Sequence, residues 1–301
     1  MRIAVIMSTY NGEHYLKEQI DSILNQDSVD LEIFVRDDGS HDKTVKILEG
    51  YKCDKIHVYR GKNVGYGKSF IDCLNSADGF DYYAFSDQDD FWDSQKLIKA
   101  IDLLAQKTGD ENLPALYYTN LNVSDKELNV MHTTKLETRK RTLESLVMRR
   151  SIAGCTMVFN KLLRERIFEN PITDDALLLG HDSFIISLCC ALDGVVCFDK
   201  NAYIYYRQHT ANTAGAPNNI KKRIKKEWKA FRRDKKAEAK IAQVILDGWA
   251  DEISTKNRDV LKLVAALGSN VNSKLRILLS GDFTTGDFRL TLLEKIKILF
   301  A

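Results

Sequence analysis

Two hydrophobic rhythms alternate along the first 120 residues of this 301-residue chain. Apolar runs at Ile3–Met7, Glu32–Arg36, Ile56–Arg60, Tyr82–Phe85 and Ala115–Thr119 read as strands. Between them lie segments with helical spacing, starting near Glu13 and Asp42, lying between the third and fourth strands, and covering Lys96–Leu104. Near-continuous apolar strands joined by helices predict βαβ units. Their right-handed crossovers give a twisted parallel sheet, covered on both faces, with its functional loops at one edge.

Beyond Thr119 the rhythm loosens. Residues 121–150 are polar and predict a loop region followed by a short helix around 144–148. Ala153–Phe159 reads as a strand, Ser183–Leu192 as an apolar helix preceded by Gly180-His181-Asp182, and Val195–Phe198 and Tyr203–Tyr206 as two strands, the second running into Arg207-Gln208-His209. From about Asn218 the chain is mostly helical, with breaks near 268–273 and 281–286. The expected division is an α/β unit over residues 1–215 and a basic helical region over 216–301. Within that region Ile220, Ile224, Trp228 and Phe231 align on one helical face and predict an interfacial amphipathic helix.

Polar clusters follow each early strand, and their coincidence points to one site. Ser8-Thr9-Tyr10-Asn11-Gly12-Glu13 follows the first, Asp37-Asp38-Gly39-Ser40 the second, Asn63-Val64-Gly65 the third and Ser86-Asp87-Gln88-Asp89-Asp90-Phe91-Trp92 the fourth. Separately they read as helix caps and turns. The acidic run carries further, because crowded carboxylates repel unless a cation neutralises them, and hard oxygen ligands suit Mg2+ or Mn2+. A divalent ion at a strand end suggests phosphate chemistry.

Taken in order, S-T-Y-N-G-E, D-D-G-S, N-V-G, S-D-Q-D-D-F-W, G-H-D at 180–182 and Y-R-Q-H at 206–209 resemble family 2 glycosyltransferases of the GT-A fold, over residues 1 to about 215. The S-D-Q-D-D and R-Q-H combination is most similar to bacterial rhamnosyltransferases and related enzymes of surface-polysaccharide assembly. The fold this implies is a Rossmann-like, mostly parallel α/β sheet flanked by helices.

The resemblance implies a nucleotide-sugar donor, dTDP-rhamnose or a UDP-hexose. Thr9, Tyr10, Asn11, Glu13, Gly65 and one or both of Asp37 and Asp38 would surround its nucleoside. Asp87-Gln88-Asp89 would be the family's D-x-D motif, with Asp89 on Mn2+ or Mg2+, Asp87 facing the ribose or sugar, and Asp90 behind them. Arg207 would hold phosphate oxygens and His209 would complete the metal shell. Asp182 would be the general base of a single inverting displacement, oriented by His181 where many relatives carry Glu. Polymerising relatives carry Q-x-x-R-W after the base; Arg207-Gln208-His209 stands here instead, implying one sugar per encounter.

Other classes fit less well. Gly67-Lys68-Ser69 follows a strand, but Gly61 lies one residue too far upstream for a phosphate-binding P-loop. An arginine-bearing glycine-rich loop, expected of sugar-nucleotide synthesis, does not follow the first strand. The net charge of +2 conceals net +8 over Lys221–Lys240, which leaves −6 elsewhere. So local a basic patch argues against a broad nucleic-acid footprint; with Trp228 and Phe231 on its other face the helix either inserts at the inner leaflet of an anionic membrane, where a lipid-linked glycan acceptor would be met, or packs its apolar stripe on the catalytic domain with its charges solvated. Six cysteines without a C-x-x-C pair, and no apolar run long enough to span a bilayer, give the expectation of a cytoplasmic protein that contacts the membrane peripherally. The rival reading is a non-catalytic GT-A relative that binds membranes or partners.

Overall fold

The computed structural model describes residues 1–109, 112–148, 152–209 and 220–300, with backbone alone at 220–230, 232 and 300. The first half is β1 (Arg2–Thr9), α1 (Leu16–Leu24), β2 (Asp30–Asp37), α2 (Thr44–Gly50), β3 (Ile56–Arg60), α3 (Tyr66–Ser76), β4 (Tyr82–Ser86), β5 (Phe91–Trp92) and α4 (Lys96–Thr108). There follow β6 (Ala115–Ser124), β7 (Val130–Thr133), α5 (Leu143–Met148), β8 (Val158–Asn160), α6 (Lys161–Phe168), α7 (His181–Ala191) and β9 (Val195–Arg207). Four helices close the described chain: α8 (Ile220–Trp249), α9 (Thr255–Ala265), α10 (Val271–Leu279) and α11 (Phe288–Phe300).

One sheet runs in the order β3-β2-β1-β4-β8-β6-β9-β5, with β7 hydrogen-bonded to β6. The pairs β1–β2, β1–β4, β2–β3 and β6–β9 are parallel; β8 and β5 run antiparallel to their neighbours. The central strand β1 is apolar on both faces because helices cover both: Ile3, Val5 and Met7 face one core and Ala4 and Ile6 the other, all without solvent exposure. Register sets the function of the edge. Met7 lies opposite both Val35 and Ser86, and Thr9 opposite Asp37, so the loops after β1, β2 and β4 leave the sheet at one level.

Several expected elements take a different form. Residues 121–133 are a β6–β7 hairpin closed by a turn in which Asp125 Oδ1 accepts the Glu127 and Asn129 amides, at 3.0 and 2.9 Å. All four β7 residues are exposed, so no alternation marks the strand. Only Val158–Asn160 of the expected 153–159 strand is extended; Gly154–Thr156 form a 3-10 turn that turns Cys155 inward. The two expected strands at 195–206 are halves of β9, bent where the register against β6 jumps between Thr119–Asp199 and Asn120–Ala202. A break at 250–254 went unannounced by Gly or Pro; Ser254 caps α9 there by accepting the Asn257 amide.

Phe231, Ile241, Ile245 and Trp249 of α8 and Val260, Leu261 and Val264 of α9 are buried in the same cluster as Phe184, Ile185 and Leu188 of α7. Of the stripe expected on α8, Phe231 therefore faces the core, while the side chains of Ile220, Ile224 and Trp228 lie outside the described residues.

Candidate active site

The loops after β1 and β2 lock together through their polar side chains. Asp37, buried, accepts the Ser40 amide at 3.0 Å and the Thr9 hydroxyl at 3.3 Å. Asp38, also buried, takes a bond from Arg36 and the amides of Val64 and Gly65, at 2.9 and 3.0 Å. Gly65 sits at φ 84°, a conformation that favours glycine, at the head of α3. Thr9, Asp37 and Asp38 thus tie the ends of β1 and β2 to the loops that follow them. In those loops Asn11 Oδ1 accepts the His41 amide at 2.9 Å, Glu13 Oε2 accepts the Lys43 amide at 3.0 Å, and Tyr10 is largely exposed. All the residues expected around the nucleoside are brought to one edge.

The acidic run joins these loops through a residue whose side chain drew no attention in the sequence. Gln88 Oε1 accepts the Tyr10 amide at 2.9 Å and its Nε2 donates to the Tyr10 carbonyl at 3.1 Å, so the middle residue of D-x-D clamps the first loop. Asp89 stays near the surface, and its Oδ2 lies 2.7 Å from His209 Nε2, although the two residues are 120 positions apart. Tyr15 packs against the same imidazole, ring centroids 5.2 Å apart.

Arg207, expected at the donor phosphates, is turned into the protein. Its Nε donates to the Asp89 carbonyl at 2.9 Å, its other nitrogens bond the Lys126 carbonyl and Glu18, and its guanidinium lies 4.4 Å above the Tyr15 ring. Its amide also donates to Asp90 Oδ1 at 3.2 Å. In this arrangement the guanidinium pins together α1, the β6–β7 turn and the acidic run.

Beneath Asp89 the carboxylates are crowded. Burial first, then the charges of Asp89 and Asp182, push Asp87 up to about 7. Burial, with Asp87 and Asp89 nearby, pushes Asp90 well above the ordinary carboxylate range, and its Oδ2 has no hydrogen-bond partner among the described residues. Lys96 is buried alongside with its ammonium 3.5 Å from the Trp92 ring centroid, and burial lowers its pKa to about 7. Oxygen atoms of Asp87 and Asp90 and the Cys155 sulfur lie within 4.8 Å of one another.

Asp182 lies in the first turn of α7, with Oδ1 accepting the Ser183 amide at 2.7 Å. Gly180, at φ 95°, adopts a conformation that favours glycine, and a Cβ there would stand 2.7 Å from that oxygen and displace the Asp182 carboxylate. His181 does not orient Asp182 through its ring: it is buried against Phe70, with centroids 4.1 Å apart, and edge-on to Phe85 at 4.5 Å. Neither ring nitrogen has a hydrogen-bond partner among the described residues, and burial lowers its pKa to about 3, so the imidazole is neutral.

The donor set suits a hard divalent ion. Carboxylate and imidazole atoms 2.7 Å apart are close to the spacing of neighbouring ligands, about 3 Å, around an octahedral ion with bonds of about 2.1 Å. Asp90 Oδ2, without a hydrogen-bond partner among the described residues, is a further hard oxygen atom beside them.

Gln19, Glu18 and Tyr15 escaped sequence reasoning. Gln19 Nε2 donates to Ser86 Oγ at 2.8 Å, which holds the end of β4 against α1. Their signal was weak but present: positions 15, 18, 19 and 22 share one helical face, and polar Gln19 and Ser22 interrupt a side that otherwise points to the core.

Comparison with known proteins bears on family and fold. A model of the glycosyl transferase family 2 domain matches residues 4–170. The dTDP-rhamnosyl transferase RfbG of Shigella flexneri is 30% identical over 235 residues, covering 73% of this chain and 77% of that protein. Among solved structures, S. aureus TarS residues 1–349 superposes with TM-score 0.59 at 18% identity, covering 99% of this chain and 89% of that one. A mannosyltransferase from Pyrobaculum calidifontis, solved with GDP-Man and Mn2+, gives TM-score 0.50 at 17% identity, covering 98% and 86%.

Proposed function

The chain belongs to the family 2 glycosyltransferases and has the GT-A fold, and from that premise we propose that it transfers a single sugar, with inversion and with the help of a divalent metal, to a carbohydrate acceptor. The donor is a nucleotide sugar, dTDP-rhamnose or a UDP-hexose, and the 30% identity to a dTDP-rhamnosyl transferase favours the first. The acceptor is a lipid-linked glycan at the inner leaflet. The observation that carries the reading is the 2.7 Å approach of Asp89 and His209 at the sheet edge where the first four loops meet.

Asp89 and His209 would hold Mn2+ or Mg2+, which when bound neutralises charge on the departing diphosphate. Gln88 and Arg207 keep Asp89 in place from both sides. Asp87, partly buried and close to both Asp89 and Asp182, faces the sugar or ribose. Asp182 accepts the proton of the attacking hydroxyl at its carboxylate, while neutral His181 adds no competing charge. Thr9, Asp37, Asp38 and Gly65, together with Tyr10, Asn11 and Glu13, receive the nucleoside.

The test is release of nucleoside diphosphate from UDP-, dTDP- and GDP-sugars with Mn2+ or Mg2+ and then with EDTA. One donor should turn over in a metal-dependent way, and Asp182→Asn should lower the rate by roughly 10²–10⁴ while donor binding persists. Silence across the panel, with no nucleotide-induced thermal shift, would instead favour a non-catalytic relative.

A further inference from the structure

The apolar face expected on α8 is turned inward at Phe231, yet the region does expose an apolar surface elsewhere. Val271, Leu275 and Leu279 recur every four residues along the outside of α10, and Leu292, Ile296 and Leu299 along the outside of α11. These are not grazing exposures: Val271 is 71% and Leu279 84% accessible, and Phe288, at the start of α11, 82%. The opposite sides bury Ile277 and Ile298 in the main core, so both helices are oriented and their outer faces are fixed. Lys295 joins them by donating to the carbonyls of Leu278 and Ser280, at 2.9 and 2.8 Å, which sets the two stripes on adjoining helices.

Apolar side chains this exposed, recurring on adjoining helices, mark an interaction surface. The charges around it choose the occupant. Arg276 and Arg289 are exposed and Lys274 is partly so, three cations against exposed Asp282 and partly exposed Asp287 between the two helices. A second copy docking by two-fold symmetry would press the same cations together, whereas anionic headgroups would neutralise them. Apolar side chains that enter the acyl boundary beside cations that meet headgroups make an interfacial surface.

We propose that the α10–α11 face is a peripheral membrane-binding surface that inserts into an anionic lipid leaflet. It deepens the reading of a lipid-linked acceptor, on which the choice of a membrane rests in part; the surface itself stands on the exposures and charges above. On α8, Phe231 belongs to the core, while the side chains of Ile220, Ile224 and Trp228 lie outside the described residues.

The test is flotation of the full chain with vesicles of phosphatidylglycerol and phosphatidylethanolamine, and with phosphatidylcholine alone. The wild-type chain should float with the first and much less with the second. Substituting Leu279, Leu292 and Ile296 together by Gln, which preserves helical propensity, should lower partitioning at least about a hundredfold, because one inserted side chain is worth roughly tenfold. Should that variant melt abnormally, Arg276→Glu with Arg289→Glu keeps the apolar face and should cost more than about tenfold on anionic vesicles alone. Flotation unchanged in either folded variant overturns the proposal. So does a wild-type chain that ignores vesicles, whether it is monomeric by sedimentation or forms a dimer that the Gln variant dissolves. Donor cleavage, which needs no acceptor membrane, is measured on the same samples, so that loss of the transferase reading is told apart from loss of the surface.

Discussion

Replacing Arg207 with Lys separates two roles that a sequence motif cannot distinguish. A phosphate-binding arginine would face the donor; the structure turns this one inward, on the Asp89 carbonyl, the Lys126 carbonyl, Glu18 and the Tyr15 ring. Lysine can keep one of the three side-chain bonds. Bonds to a charged group contribute about 1.5–3 kcal/mol each, so two lost bonds represent a gross loss of about 3–6 kcal/mol. Glu18 is half exposed and regains water, which brings the net cost to roughly 2–3 kcal/mol. For a chain of this length that lowers Tm by roughly 3–5 °C. Because the guanidinium ties the Asp89 backbone to α1 and the β6–β7 turn, the Mn2+ concentration for half-maximal donor cleavage should rise at least about tenfold, with donor KM at saturating metal nearly unchanged. The assay is a thermal melt paired with a metal titration of nucleoside diphosphate release. An unchanged Tm together with a large rise in donor KM would refute the pin and restore a direct phosphate contact.

Two further outcomes follow from the buried groups. Asp87 ionises near 3.9 when unfolded and is pushed up to about 7 in the fold, so the folded state holds the proton more tightly and its contribution to metal-free stability declines as pH rises from about 4 to about 7. Asp90 acts in the same direction and buried His181 in the opposite one, in wild type and Asp87→Asn alike, so the stability difference between the two EDTA-treated proteins isolates Asp87 and should fall across that window; a difference that stays flat would contradict the burial argument. Trp249 is buried against Phe184, with its indole N–H donating to the Arg166 carbonyl at 3.0 Å. Trp249→Ala should cost about 3–5 kcal/mol in a single urea transition shared with the sheet, and two separate transitions would mean that the C-terminal helices carry their own core.

The parallel half of the sheet was legible because its strands are buried on both faces and announce themselves as apolar runs; Ile3–Met7 is the clearest case. The loops were legible for a related reason, since polar residues gathered after such strands can only meet at one edge. The β7 strand was not, because all four of its residues are exposed and packing imposes no alternation. Nor was the continuity of β9, whose bend at Asp199–Ala202 looks like a turn when its β6 partner is unknown. At the site, residue types found Asp89 and His209, but the direction of a long side chain is a tertiary property. Arg207 could be placed at the site from its neighbours, though not aimed. Lys96 was hidden more completely, reading as a surface residue at the start of α4 while its ammonium lies over Trp92 in the core.

The 120 residues between Asp89 and His209 also carry a consequence for how the protein comes into being. A ribosome adds roughly 5–20 residues per second, so the acidic run emerges on the order of ten seconds before the imidazole that faces it. Through that interval β1 to β4 can already associate, but Asp90 lacks the Arg207 amide and Asp89 lacks both Arg207 and His209. The nascent edge is a strongly anionic, half-built pocket, and β9, the last strand of the sheet to be synthesised, is the piece that completes it. A metal site that needs both Asp89 and His209 would thereby be acquired late, absent from any N-terminal fragment ending before residue 209.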